Sequence, residues 1–225
     1  MLKEIGNKHG TDKGNECHTI DGESYLDIYD KLFHSVRESV QTLAEIGVRG
    51  GNSVTMWREY FPKAHIWGLD IDPTINTDFG ERINVIIGDQ SSATDLDKLA
   101  PGSKLDVVID DGSHLADHLE FTFNHLWPRV SAGGFYVMED TTCTNGDTTD
   151  YIEKWPGQKY NKAGTKFNND RQKLNQFILQ QIHDAENGRK DVQSVMVCFN
   201  MIWFKKRKPQ ENPPPTEADE GLAAS

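Results

Sequence analysis

Short apolar segments alternate along this chain with segments of helical periodicity, and this alternation limits the folds open to it. The strand-like segments cover residues 42–48, 65–71, 83–89, 105–111 and 135–140. The helical segments cover 24–40, 52–60, 92–100, 115–130 and 166–187. Strands that are separated by helices need crossover connections, which favour a parallel sheet. We therefore predict an α/β, Rossmann-like domain.

The two ends of the chain and one internal loop depart from this pattern. Residues 192–199 and 201–206 look like two strands joined by a tight turn, which predicts an antiparallel hairpin at one end of the sheet. Residues 1–22 have no apolar period and are expected to be irregular. Residues 141–165 are polar, and we expect them to form a loop that acts as a lid. We place the domain at 23–206 and a disordered tail at 207–225.

Composition excludes some classes of protein. The net charge of −11 disfavours a nucleic-acid partner, because phosphate binding needs a dominant basic face. The three cysteines match no zinc or redox spacing, which suits a reducing compartment. The first 14 residues lack the apolar core of a secretory signal, and no run reaches the roughly 20 apolar residues of a membrane helix. We expect a cytoplasmic protein without membrane contact.

Four of the predicted strands end in a carboxylate: Asp70, Asp89, Asp111 and Asp140. In open α/β sheets, ligands bind outside the carboxyl ends of the strands. The sequence therefore predicts a site at that edge. Taken one at a time, each acid could equally cap a helix or a turn.

The first three strand ends suggest a nucleotide-type ligand. Glu45 and Gly47 begin a glycine-rich turn into a helix, where backbone can approach a ligand closely. Asp70 has the position of an acid that accepts ribose hydroxyls. Asp89 or Gln90 could bond an adenine edge. The turn is not GxGxxG, so a plain strand-to-helix turn stays an alternative.

The next two strand ends suggest metal chemistry. The fourth strand delivers Asp110-Asp111-Gly112-Ser113-His114, and the fifth delivers Glu139-Asp140. Carboxylates held close together repel one another, and a hard cation such as Mg²⁺ relieves this repulsion. Asp111, Glu139 and Asp140 form the predicted ligand set, and His114 is the predicted general base. A zinc or iron site of Asp111, His114 and His118 is the alternative.

Several motifs together resemble one family, the class I S-adenosylmethionine (SAM)-dependent O-methyltransferases that act on deoxysugars of macrolide antibiotics. The resemblance rests on HGTDKG (9–14), residues 43–72, GDQ (88–90), DVVIDDGSH (106–114) and GGFYVMED (133–140). It implies a seven-stranded, mostly parallel methyltransferase sheet, SAM and Mg²⁺ as cofactors, and a small-molecule or glycan acceptor. Family members are often homo-oligomers.

The resemblance also implies roles for individual residues. Asp111, Glu139 and Asp140 match the metal ligands, and His114 matches the general base. The segment around Thr11 and Lys13 is expected to fold over the SAM site, with Tyr25 and Tyr29 lining it. The implied SAM-binding residues are Thr11, Lys13, Glu45, Gly47, Asp70, Asp89, Gln90 and Asp110.

Our leading hypothesis is therefore a metal-dependent O-methyltransferase that acts on a hydroxyl of a sugar. An iron-dependent oxidative enzyme on a related fold is one alternative. A SAM- or glycan-binding protein without catalysis is another. A nicotinamide dehydrogenase is weakly supported, because the GxGxxG spacing is absent.

Overall fold

A computed structural model of the chain describes residues 1–15, 18–145 and 170–209. The helices are α1 Leu2–His9, α2 Tyr25–Phe33, α3 Asn52–Tyr60, α4 Ala93–Leu96, α5 Ala116–Leu126 and α6 Arg171–Glu186. The strands are β1 Thr19–Ile20, β2 Glu23–Ser24, β3 Thr42–Ile46, β4 His65–Asp70, β5 Ile83–Ile87, β6 Leu105–Asp110, β7 Val130–Met138, β8 Val192–Cys198 and β9 Met201–Lys206.

Seven strands form the main sheet, in the order β5-β4-β3-β6-β7-β9-β8. The first five of these run parallel, and β9 is antiparallel to both β7 and β8. The prediction of a mostly parallel sheet with an antiparallel C-terminal hairpin is confirmed. Strand β3 pairs with β4 on one side and with β6 on the other. The chain adds β4 and β5 on one side of β3 and then crosses to the opposite side of β3 to form β6, so the strand order reverses at the boundary between β3 and β6. Ligands of open α/β sheets bind at such a point.

Two apolar cores cover the two faces of the sheet. On one face, in the first core, Phe33 of α2 packs against Trp57 of α3 and Trp203 of β9. On the other face, in the second core, Phe123 of α5 packs against Tyr136 of β7 and Phe204 of β9. Because both faces are covered, the central strands are buried on both sides, which explains their nearly continuous apolar sequences.

The prediction that residues 1–22 are irregular is wrong. Helix α1 forms because Leu2 is fully buried and because Gly6 lies directly against Leu26, where an added Cβ would come within 2.5 Å of a side-chain carbon. Gly10 ends the helix in the left-handed conformation that glycine adopts without strain. The stabilising contacts come from α2 and α3, which are distant from α1 in the sequence.

Helix ends differ from the predicted ones where local hydrogen bonds decide them. A capping box between Ser24 and Asp27 starts α2, which ends at Phe33 rather than near residue 40. Helix α5 ends at Leu126, just ahead of Pro128. Residues 146–165 of the predicted lid, the first four residues of the predicted helix 166–187 and most of the predicted tail lie outside the described residues. None of the described helices has the length and apolarity to cross a membrane.

Candidate active site

The glycine turn after β3 packs directly on the end of β6. Gly47 has a φ of +87°, and a Cβ at this position would lie 2.0 Å from the carbonyl oxygen of Asp111. The predicted nucleotide loop and the predicted metal loop are therefore in backbone contact. By contrast, a Cβ on Gly50 would meet no heavy atom closer than 4.0 Å, so the outer side of the turn is open.

Asp70, at the end of β4, holds this turn in place. Its Oδ2 accepts hydrogen bonds from the backbone N–H groups of Val48 (2.8 Å) and Arg49 (2.7 Å). Its Oδ1 accepts a third from the N–H of Asp72, at 2.9 Å. The carboxylate lies at the predicted edge of the sheet, and it fixes the shape of the glycine turn.

Asp89 and Gln90 follow β5. Asp89 Oδ1 accepts a hydrogen bond from the Ser91 N–H at 2.8 Å, so this acid caps its own turn. The Gln90 side chain is buried, and its Oε1 accepts a bond from the Ser113 N–H at 2.6 Å. Gln90 thus ties the β5 turn to the loop that carries His114, while its backbone stays at the strand end.

Asp110 lies beneath the site. It is fully buried, and it accepts hydrogen bonds from Gln90 Nε2 (3.1 Å) and the Tyr136 hydroxyl (2.7 Å). Burial raises the pKa of its carboxyl to about 7, against the lowering effect of those two donors. Through Gln90, its side chain stabilises the loop that carries His114.

Asp111, His114 and Asp140 form the cation-binding geometry. Each offers one ligand atom, and these three atoms lie within 4.8 Å of one another. His114 Nε2 is 4.0 Å from Asp111 Oδ1 and 3.8 Å from Asp140 Oδ2. His114 (φ +56°) and Asp140 (φ +52°) both have left-handed backbone, which is uncommon without glycine. Strain of this kind concentrates at functional sites.

These residues suit a hard divalent cation. Two carboxylates provide the oxygen ligands that Mg²⁺ prefers, and few protein ligands leave positions for water or substrate. The two carboxylates are partly exposed, at 24% for Asp111 and 20% for Asp140, and the histidine is buried. A cation here would be reachable from the edge of the sheet, next to the glycine turn.

Glu139, the third predicted ligand, is placed differently. Its Oε1 accepts a hydrogen bond from the Tyr29 hydroxyl and its Oε2 one from Lys13 Nζ, at 2.6 Å for the latter. It is 1% exposed, and burial together with the charge of Asp111 raises the pKa of its carboxyl. The structure brings Glu139 beside the cluster but not into the three-residue set. The ligand role implied by the resemblance stays a prediction.

The N-terminal segment contributes Lys13, whose side chain is 2% exposed. Its Nζ lies 2.6 Å from Asp111 Oδ2 and 3.8 Å from Glu45 Oε1. Burial disfavours the charged ammonium, but the surrounding carboxylates raise the pKa of Lys13 well above its usual value. Thr11 caps the short 3₁₀ turn Asp12–Gly14 that presents this lysine.

Glu45 is fully buried on β3. It accepts hydrogen bonds from Ser53 Oγ (2.8 Å) and Trp57 Nε1 (3.3 Å), both of which belong to α3. Burial raises the pKa of Glu45 to about 7, and Lys13 opposes that rise. The acid therefore joins the glycine turn, α3 and the N-terminal segment.

Asp140 is surrounded by donors from three parts of the chain. The Tyr25 hydroxyl and Asn200 Nδ2 donate to its Oδ1 at 2.8 and 2.9 Å, and His18 Nε2 lies 3.6 Å from the same oxygen. Burial acts to raise the pKa of Asp140, but the contacts with His18 and His114 hold it below its usual range. The resemblance implied Tyr25 only as part of the SAM-site lining, and sequence reasoning missed His18 and Asn200. Asn200 lies in the predicted tight turn between the last two strands, which was its only local signal.

His118 does not join the cation set. Its Nδ1 lies 2.7 Å from Ser113 Oγ, and its side chain is buried. Within the described ranges, Asp111, His114 and Asp140 are the one group with metal-ligand geometry. The structure therefore gives no support to the alternative site of Asp111, His114 and His118.

Comparisons with known proteins agree with this geometry. Residues 44–141 match the family model described as a methyltransferase domain. The mycinamicin VI 2''-O-methyltransferase of Micromonospora griseorubida is 35% identical over 164 residues, which is 69% of this chain and 37% of that protein. An 8-demethyl-8-alpha-L-rhamnosyl tetracenomycin-C 2'-O-methyltransferase of Streptomyces olivaceus is 37% identical over 148 residues, 62% of this chain and 37% of that protein. The chain thus spans little more than a third of these relatives.

A solved structure extends the similarity. The MycE methyltransferase of the mycinamycin biosynthetic pathway, in complex with Mg, SAH and mycinamycin VI, superposes with a TM-score of 0.68 and 29% sequence identity. The match covers 96% of this chain and 57% of that chain.

Proposed function

This chain contains a methyltransferase domain, and from that premise we propose that it is an O-methyltransferase that uses SAM and a divalent cation. The single observation that carries the proposal is the position of Asp111, His114 and Asp140, in one cluster, against the glycine turn at Gly47. A donor site and a metal site that share backbone contact can hold two substrates close together, which is the main requirement of a transfer reaction.

Bound SAM supplies the methyl group, and a bound divalent cation lowers the pKa of the acceptor hydroxyl. For SAM, we assign the carboxyl edge of β3, β4 and β5, with Gly47, Asp70 and Asp89 as the main positions. The open outer side of the turn at Gly50 fits a ligand there. For the cation, we assign Asp111 and Asp140, with Glu139 completing the set if its carboxylate turns towards them.

His114 is the group that takes the proton from the acceptor hydroxyl, at Nε2. Asp111 and Asp140 lie 4.0 and 3.8 Å from that nitrogen, so they stabilise the positive charge that the ring gains. Tyr25 and Asn200 keep Asp140 in place while this happens. Lys13, from the N-terminal segment, lies where the two sites meet, with its Nζ 2.6 Å from Asp111 Oδ2 and 3.8 Å from Glu45 Oε1.

We further propose that the acceptor is a sugar hydroxyl, on a glycan or a glycosylated natural product. Support comes from the relatives, whose names describe methylation of sugar-bearing molecules. The net charge of −11 also argues against a nucleic-acid acceptor.

The test is a His114→Gln variant, with His125→Gln as the matched control. His125 lies on the same stretch of chain but pairs with Asp97 at 2.8 Å, outside the site. We expect His114→Gln to lose methyl transfer from labelled SAM to a panel of free and conjugated sugars, while calorimetry shows SAM binding close to wild type. The control should keep both. Undiminished methyl transfer in His114→Gln, with Mg²⁺ present, would refute the assignment.

A further inference from the structure

Lys13 carries a buried positive charge into a cluster of acids from three neighbouring strands. Its Nζ lies 2.6 Å from Asp111 Oδ2 and from Glu139 Oε2, and 3.8 Å from Glu45 Oε1. These acids belong to, or follow, β6, β7 and β3. A lysine is almost never this deeply buried unless it is paired.

The residues before and after Lys13 are held by hydrogen bonds and packing, so an ordered segment of the chain positions the ammonium. The carbonyl oxygen of Gly10 accepts a hydrogen bond from Asn52 Nδ2 at 2.9 Å. The N–H of Asn15 donates to the carbonyl of Asp12 at 2.8 Å and closes the turn. The packing of Gly6 and Gly14 on Leu26 fixes the rest.

Asp111 is shared between this lysine and the cation cluster. Its Oδ2 accepts a hydrogen bond from Lys13 Nζ, while its Oδ1 faces His114 and is the oxygen that would be available to a cation. We propose that Lys13 lowers the affinity of the Asp111 and Asp140 carboxylates for the divalent cation, because it holds a fixed positive charge against the Asp111 carboxylate, which also binds the cation. This inference rests on the cation site in the proposed function.

The sign of the effect follows from electrostatics. A fixed charge next to a ligand repels a dication, and the repulsion is strong where water is excluded. The same ammonium also draws negative charge away from the Asp111 carboxylate. Removing the charge should therefore tighten cation binding, with Glu139 released as an additional ligand. If Lys13 instead organises the ligands for the cation, its removal should weaken binding.

The experiment measures Mn²⁺ binding to the SAM-free protein at fixed pH, by calorimetry and by loss of the free Mn²⁺ electron paramagnetic resonance signal. Lys13→Met removes the charge with little change in length. Lys13→Gln removes the charge and keeps a donor, so it covers the case in which Lys13→Met does not fold. Lys13→Arg keeps the charge. Lys8→Met is the control for net charge, because Lys8 pairs with Glu59 on the surface at 2.7 Å.

We expect the uncharged Lys13 variants to bind Mn²⁺ about tenfold more tightly than wild type. Lys13→Arg and Lys8→Met should stay close to wild type. Wild-type or weaker binding in the folded uncharged variants overturns the inference and leaves the proposed function intact. If the wild-type protein itself binds no Mn²⁺, the cation-dependent function fails, and the inference fails with it.

Discussion

The backbone contact between the glycine turn and β6 can be tested by Gly47→Ala. The added Cβ would lie 2.0 Å from the Asp111 carbonyl oxygen, 2.7 Å from its carbonyl carbon and 3.2 Å from the Gly112 Cα. All three are backbone atoms, so no side-chain rotation relieves the overlap. Either the glycine turn or the Asp111 loop has to move.

Two costs add up in this variant. An alanine at φ +87° has left-handed strain of about 1–2 kcal/mol. Overpacking against backbone costs about 1–3 kcal/mol more. We therefore expect the free energy of unfolding to fall by about 2–5 kcal/mol. In a domain of this size, that lowers Tm by roughly 4–20 °C.

Gly102→Ala is the matched control. Gly102 also has positive φ, +75°, but its Cβ would meet no atom within 4 Å. This variant has the strain without the overlap, and both variants gain equally from a stiffer unfolded chain. The difference between the two variants in urea unfolding thus measures the overlap alone.

A second readout concerns the site itself. Because the overlap in Gly47→Ala displaces either the glycine turn or the Asp111 loop, we expect weaker binding of SAM or of Mn²⁺ in calorimetry, whereas Gly102→Ala should bind both like wild type. Equal losses of stability in the two variants, with binding unchanged in both, would show that the two loops are not in the contact described here.

Two further predictions concern residues that support the site. In Asn200→Gly, the glycine tolerates the backbone φ of +56°, but the 2.9 Å hydrogen bond to Asp140 is lost. We therefore expect the affinity for Mn²⁺ to fall about tenfold in calorimetry. Unchanged affinity would contradict the positioning role of Asn200. Asp27→Asn should destabilise the protein by about 1 kcal/mol at pH 7. Burial opposes ionisation of Asp27, but its bonds with Lys3 and Ser24 lower its pKa to about 2. The stabilisation is therefore present above the ordinary pKa of 3.8 and is lost as the pH falls towards 2, so the difference between wild type and variant in urea unfolding should shrink over that range. A difference that does not change with pH would contradict the assignment.

Local sequence determined the elements of the sheet. Alternation of strand and helix is a property of neighbouring residues, because the side-chain periods of 2 and 3.6 are set within a few residues. The bounds of α3 and the antiparallel hairpin β8–β9 could be predicted for this reason. The carboxylates at the strand ends were also predictable, because parallel strands place their ends at one edge.

Tertiary structure decided which acids contact Lys13 and which remain available for a cation. Lys13 is 98 residues from Asp111 and 126 from Glu139, and no local pattern indicates that it would lie between them. The ammonium binds Glu139 and the Oδ2 of Asp111, which leaves the Oδ1 of Asp111 and the Asp140 carboxylate for the cation, with His114 beside them. The hydrogen bond from Asn200 to Asp140 joins residues 60 positions apart, and local sequence did not predict it either.

Helix α1 is the simplest example of an element that tertiary contacts, and not local sequence, determine. Its sequence alone, with a glycine at position 6 and few apolar residues, favours no helix, because a short isolated helix is only marginally stable in water. It forms because Leu2 is buried in the first core and Gly6 admits Leu26 of α2. Short-range periodicity thus determined where the strands lie and which chemistry gathers at their ends. Long-range packing decided the N-terminal helix and the partners of each charge, because those energies exist only once distant segments meet.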